Sequence, residues 1–177
     1  MMLIFLKILL STLLITATTS CSVISKAVRA DAKPQVPFKT LLQEIDTYKG
    51  QTVILGGYIL ETSNLPSETI LKVLQTPLRT GEEPETRDRS EGRFIVFYEG
   101  FLDPEVYSKD RTITVAGIVL GASVEKIGEN QITYLNIENR EIYLWPDYET
   151  QRRPYYPGPY PYYWYRYPYY PHPYWYW

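Results

Sequence analysis

A chain of 177 residues with 18 basic and 20 acidic side chains has a formal net charge of −2, which argues against the basic footprint that nucleic-acid binding requires. One cysteine excludes an internal disulfide, and a single histidine leaves no His/Cys set for a zinc site. The unusual feature is aromatic content, 18 Tyr and 4 Trp crowded towards one end.

Residues 1–20 have the layout of a secretory signal: Lys7, an apolar run from Ile8 to Ala17, then Thr18-Thr19-Ser20 ahead of Cys21. A spanning helix needs about 20 apolar residues, and Lys7 interrupts the run short of that. A cysteine directly after small residues resembles the bacterial lipobox, in which the thiol takes a diacylglycerol and becomes the new N-terminus. Thr18 stands where lipoboxes usually carry Leu, so cleavage without lipid and an uncleaved anchor stay open beside lipidation at Cys21. One myristoyl chain binds a bilayer with a constant on the order of 10⁴ M⁻¹, and two signals already give stable attachment. The two or three acyl chains of a lipobox cysteine would hold the protein permanently, with the membrane as its partner.

Residues 21–36 mix small and charged side chains without a sustained period and end in Lys33-Pro34-Gln35-Val36-Pro37. They read as a flexible tether that would keep the body about 20 Å from the anchor. The body, residues 37–148, opens with Phe38, Leu41, Leu42, Ile45 and Tyr48 at helical spacing, between Pro37 and Gly50. The period then changes to that of strands. Runs at Thr52–Glu61, Thr69–Gln75, Arg93–Tyr98, Arg111–Leu120 and Ile132–Glu138, with a short one at Glu141–Trp145, are rich in β-branched and aromatic residues. Gly56-Gly57 and Gly117 fall inside strands, where glycine permits a bulge or the sharp coil of a small barrel.

Between the third and fourth runs, Asp103 is placed as an N-cap and Pro104 as a first helical residue. Three strands, a short helix and two more strands is the order of the OB-fold, a five-stranded Greek-key barrel. The fold class is therefore all-β with minor helix: an OB-like antiparallel barrel of five or six strands, with an antiparallel sandwich as the alternative.

Residues 149–177 repeat Tyr-Pro units without a fixed period, a composition that favours extended polyproline II over helix or sheet. Three readings stand side by side. The tail is a disordered low-complexity extension, a membrane-interface or glycan-stacking surface carried by Trp164, Trp175 and Trp177, or a self-association segment using Arg152, Arg153 and Arg166 over aromatic rings.

Several stretches of the body together carry a resemblance. They are Tyr48-Lys49-Gly50, Val53, Gly56-Gly57, Pro77-Leu78, Ser90-Glu91-Gly92-Arg93-Phe94, Gly100-Phe101-Leu102-Asp103-Pro104, Tyr107, Thr114-Val115-Ala116-Gly117, Lys126-Ile127-Gly128-Glu129 and Tyr143-Leu144-Trp145-Pro146. In this order they are similar to the Slp family of outer-membrane lipoproteins, over residues 38–146. The aromatic tail lies outside the resemblance. Lys109-Asp110-Arg111 departs from the family's basic residue and Gly before the fourth strand, so a different turn is expected there. The resemblance implies lipid anchoring in the outer membrane, to which Ser22 in place of a retaining Asp also points, and an association with starvation physiology. It implies no reaction.

The search for chemistry agrees with that silence. His172 lies in Pro171-His172-Pro173 within the tail, where nothing rigid aims it, so activation of a nucleophile lacks its base. Glu82, Glu83 and Glu85 belong to the charged stretch 80–91, read as a solvated loop and discounted as a glycosidase pair. Arg93 is expected to pair with a nearby acid, and Asp103 to cap a helix. No catalytic residue, metal ligand or cofactor is assigned. The leading reading is a non-catalytic lipoprotein facing the periplasm, with a structural or interaction role and an envelope protein or glycan as partner. The rival is an enzyme or binding module acting on cell-wall or surface polysaccharide.

Overall fold

A computed structural model describes residues 22–33 and 36–147. The chain divides into two compact units, 1–147 and 148–177, and the described residues belong to the first. Five strands form a closed barrel: β1 (Thr52–Asn64), β2 (Glu68–Thr76), β3 (Gly92–Glu99), β4 (Thr112–Ile127) and β5 (Asn130–Leu144). Their order around the barrel is β1-β2-β3-β5-β4, with β4 closing on β1 through an antiparallel ladder from Thr52↔Ile118 to Tyr58↔Thr112. This is the OB arrangement, and it bears out the barrel over the sandwich. One pairing departs from the antiparallel expectation: β3 and β5 run parallel, from Arg93↔Tyr134 to Phe97↔Glu138. The separate runs at 132–138 and 141–145 merge into the single strand β5, so the barrel has five strands.

Alternation within the strands sends one set of side chains inward. Val53, Leu55, Ile59, Leu71, Val73, Phe94, Val96, Ile113, Val115, Val119, Leu135 and Ile137 form one buried cluster. The barrel closes around it because the mid-strand glycines let backbones approach. A Cβ on Gly57 would overlap the Leu74 carbonyl of β2, and one on Gly117 would sit 2.6 Å from the Glu138 carbonyl oxygen of β5. The ladders shift register nearby, between Ile59 and Glu61 and between Ala116 and Gly117.

The expected opening helix is two short pieces, α2 (Phe38–Gln43) and α3 (Ile45–Tyr48), parted at Glu44. Phe38 and Leu41 of α2 are almost fully buried in the core, Phe38 lying 6.4 Å from the Phe94 ring between centroids. At the other end of the core the expected helix after Asp103 is a single turn. Val106 and Tyr107 N–H donate to the Asp103 carbonyl, and the Asp103 carboxylate accepts from Glu105 N–H at 2.9 Å. The cap is as expected, but the helix stops after one turn, and buried Leu102 fills that end of the core.

The stretch expected as a tether carries regular structure. Helix α1 (Lys26–Asp31) starts at the N-cap Ser25, whose side chain accepts from Val28 N–H. Lys33 N–H then donates to the Thr52 carbonyl at the start of β1. Among the described residues, 22–33 are held against the barrel, which corrects the reading of a free coil there. Before β4, Asp110 adopts φ 76°, a left-handed conformation. Aspartate tolerates it better than most residues, so the turn expected to differ takes a backbone conformation of the kind that glycine favours.

Candidate functional site

The most organised polar cluster lies where the loop between β2 and β3 meets the N-terminal segment. Leu78 and Pro84 bridge this loop into a tight hairpin, turned by Gly81 at φ 89° and Glu82 at φ 68°. A non-glycine residue in the left-handed region is held only where its surroundings over-determine it, and here they do. Arg79 N–H donates to the Glu83 carbonyl at 2.8 Å, and Glu82 N–H donates to the Arg79 carbonyl at 2.9 Å. The Glu82 carbonyl accepts from Thr114 Oγ1 of β4 at 2.7 Å.

That backbone aims the Glu82 carboxylate at the start of the described chain. Its Oε2 accepts from Ser22 Oγ at 2.8 Å and from the N–H groups of Val23 and Ile24, each at 3.1 Å. Its Oε1 pairs with the Arg29 guanidinium. Glu82 as a whole is 8% exposed, so this carboxylate sits inside the fold with its lone pairs taken. Burying a charge is costly unless it is paired and hydrogen-bonded, and four donors meet that demand. A second acid, Glu141 of β5, accepts from Ser25 N–H through both oxygens at 3.1 Å. Ile24 tucks in between, 2% exposed.

Thr114 extends the network. Its hydroxyl donates to Glu82 and accepts from the Trp145 indole N–H at 2.9 Å. Trp145 stands just past β5, 4.9 Å from the Tyr143 ring in an edge-on pair, and its carbonyl accepts from Arg111 at 3.0 Å. Ser22, Glu82, Thr114 and Trp145 therefore form one hydrogen-bonded chain. It ties the first described residues to the last. Beside it opens a cavity of about 400 Å³ whose lining includes Arg29, Lys33, Val53, Leu55, Arg79 and Glu82.

Sequence reasoning discounted Glu82 as part of a soft loop. The structure makes it a buried acceptor, and the loop is firm elsewhere as well. The Arg87 guanidinium lies 4.6 Å from the Tyr58 ring centroid and pairs with Asp110 at 2.5 Å. The available signal was Gly81 beside an acid, with Pro84 close behind. Arg93, expected to meet an acid, instead donates to the Tyr134 hydroxyl at 3.1 Å. The predicted lipidation residue Cys21 and the tail residues Trp164, Trp175 and Trp177 lie outside the described residues. Among the described residues no group of three or more His, Cys, Asp or Glu is placed to hold a metal ion.

Two titratable groups outside this cluster are displaced from their ordinary range. The Lys72 ammonium is held charged to higher pH chiefly by its hydrogen bond to Glu125, with Glu61 adding to the effect. Its Nζ lies 2.8 Å from Glu125 and 3.5 Å from Glu61, so it clamps the β4–β5 hairpin onto β2. The Tyr107 hydroxyl is pushed up, first by burial.

Comparison with known proteins gives these features a place. A protein of Haemophilus influenzae strain Rd is 36% identical over 96 residues, which cover 54% of this chain and 52% of that protein. The outer membrane protein Slp of Escherichia coli K12 is 24% identical over 71% of this chain and 68% of its own length. The Escherichia coli lipoprotein YeaY is 28% identical over 66% and 61% respectively. The chain thus spans between about half and two thirds of the length of these relatives. The model of the outer membrane lipoprotein Slp family matches residues 18–175, which takes in Cys21 and most of the tail. The resemblance read from 38–146 is therefore too narrow, and the aromatic end falls within the family's span. With all but the two ends of the chain inside that match, the protein belongs to the outer membrane lipoprotein Slp family.

Proposed function

We propose that this protein is a non-catalytic envelope lipoprotein, anchored by acyl chains on Cys21, whose barrel faces the periplasm as a structural or interaction module. The family is one of outer membrane lipoproteins, and Cys21 follows a signal-like leader within the matched span. The observation that carries the reading is the Glu82 carboxylate, which binds Ser22, Val23 and Ile24. A domain that spends a buried acid on the residue next to the anchor is built around that anchor. Glu82 is saturated by donors, which suits a structural carboxylate and not a general acid. Starvation or stress physiology is the context that family resemblance suggests, and an envelope protein or glycan the class of partner.

The test of anchoring is metabolic labelling with a palmitate analogue. Wild type takes up label and Cys21→Ala takes up none, accumulating as precursor or unlipidated product. Equal labelling of both would sink the assignment. Density-gradient fractionation checks the membrane, and recovery of the wild type with inner-membrane markers would remove that part alone. Affinity recovery of the mature protein from native envelope, with mass spectrometry, separates an interaction role from the polysaccharide-acting alternative.

A further inference from the structure

The geometry of the Glu82 cluster fixes more than attachment. We infer that the face of the barrel around Ser22, Glu82, Tyr143 and Trp145 lies directly on the phospholipid surface that holds the Cys21 acyl chains. This rests on the anchoring reading above and adds to it an orientation.

Successive Cα atoms are about 3.8 Å apart, so a lipid-bearing Cys21 is one residue from Ser22. Ser22 Oγ is 2.8 Å from Glu82, and the next two backbone N–H groups are bound to the same oxygen. No slack separates bilayer from barrel. A free coil over 22–36 would allow about 20 Å of play, but α1 and its ties to Glu82, Glu141 and Thr52 take up that length. The anchored bilayer must then meet whatever surrounds Ser22.

What surrounds it suits a headgroup layer. Tyr143 and Trp145 form an edge-on aromatic pair, and both are half-buried, with their remaining surface exposed. Tyr and Trp are the side chains that favour the membrane–water interface, being apolar bodies with polar tips. Lys33 and Arg79 line the adjoining cavity and are exposed, as cations facing lipid phosphates would be. Two acids of the cluster, Glu82 and Glu141, have their carboxylates committed to N–H groups and Arg29, and Asp31 of α1 pairs with Arg140.

The opposite end offers a control. Trp145 N–H is held by Thr112, which pairs with Tyr58, and Asn64, six residues further along β1, donates from its side chain to the Leu102 carbonyl. At about 3.3 Å per residue that is up to about 20 Å of strand. Phe101, 71% exposed, therefore stands away from the proposed contact.

Position-dependent quenching tests this on the full-length lipidated protein. In the Trp164→Phe/Trp175→Phe/Trp177→Phe variant, Trp145 is the only indole, since the chain has 4 Trp. The variant is reconstituted in phosphatidylethanolamine/phosphatidylglycerol vesicles containing lipids with a shallow nitroxide. A contact within the interfacial zone, about 5–10 Å deep, quenches Trp145 at least about twofold relative to unlabelled vesicles. A second variant, with Trp145→Phe and Phe101→Trp added, should show no quenching. Glu82→Gln, checked for an intact cooperative melt, frees the segment and should relieve the quenching of Trp145.

Mass analysis of the N-terminal peptide separates the two readings. An unquenched Trp145 in protein whose Cys21 carries lipid overturns the orientation alone, whereas a peptide without lipid overturns the anchoring on which it rests. Equal quenching at positions 145 and 101, or quenching unchanged by Glu82→Gln, also overturns the fixed orientation.

Discussion

Glu82 shows how one side chain can decide the order of a whole segment. Its four donors come from Ser22, Val23, Ile24 and Arg29, and hydrogen bonds to a charged group contribute about 1.5–3 kcal/mol each at most. The segment it holds can peel away and regain water, so the loss in Glu82→Ala should appear as local opening and not as global unfolding. The expected outcome is trypsin cleavage after Lys26 or Arg29 faster by about 10- to 100-fold, at a nearly unchanged melting temperature. Cleavage at the wild-type rate would show that the segment is held by Ile24 and α1 instead.

Beyond Gly81 before it and Pro84 close behind, the sequence pattern carries little signal of this residue's role. Glu82 sits among Glu83, Glu85, Asp88 and Glu91, and composition alone makes that stretch look solvated. Only the left-handed backbone at Gly81 and Glu82 turns this acid inward while its neighbours stay nearer the surface. Asp110 is the converse case. Its side chain suggested a different turn, but its backbone takes the left-handed conformation that glycine favours.

Among elements, β5 and its extension carry the sharpest expectation. Trp145 lies past the last strand residue, yet its N–H donates to the Thr112 carbonyl at 2.9 Å. Its indole donates to Thr114 and its carbonyl accepts from Arg111. A chain ending at Asp147 keeps all three bonds and should melt at the wild-type temperature. One ending at Leu144 loses them together with the Tyr143 ring contact, at a cost of about 2–4 kcal/mol, or about 10 °C or more for a barrel of this size. Equal melting of the two truncations in a thermal scan would show that β5 ends the fold at Leu144. Loss of cooperativity in the longer one would place residues after 147 inside the folding unit.

Strand existence was legible because β-branched runs between Gly and Pro have few other homes. Strand length was less so. The long β4–β5 hairpin continues through Val124, Glu125 and Lys126, a polar stretch that reads as a turn until Lys72 is seen clamping Glu125. The N-terminal helix was missed for a similar reason. Ser25 and the Ala-containing run behind it are adequate helix signals, but six residues are too few to show a period.

The whole molecule should respond to alkali in one direction. Lys72 and Tyr107 both have proton affinities raised by the fold. A raised folded value means that the native state binds protons more tightly than the unfolded one. Each group's contribution is therefore complete below its unfolded value and disappears as pH climbs through the folded one. Both unfolded values lie near pH 10, so denaturant stability should hold between about pH 7 and 9 and then fall above about pH 10. Lys72→Met should flatten part of that fall, since it removes the ammonium that Glu125 and Glu61 hold. A mutant curve parallel to wild type above pH 10 would assign the loss to Tyr107 and general deprotonation.

Some properties of this protein were settled by local sequence. An apolar run that ends ahead of Cys21, a strand-rich body and an aromatic end are each written in consecutive residues, because apolar runs, β-branched periodicity and Pro density need no distant partner. The barrel's closure, the parallel β3–β5 pairing and the burial of Glu82 were decided by tertiary structure. Each depends on residues far apart in the chain meeting in space. Gly57 takes its meaning only from the Leu74 carbonyl beside it, and Glu82 only from Ser22, 60 positions earlier. An acid is solvated by default, and it becomes a buried anchor point only when enough donors are brought to it to replace the water it gives up.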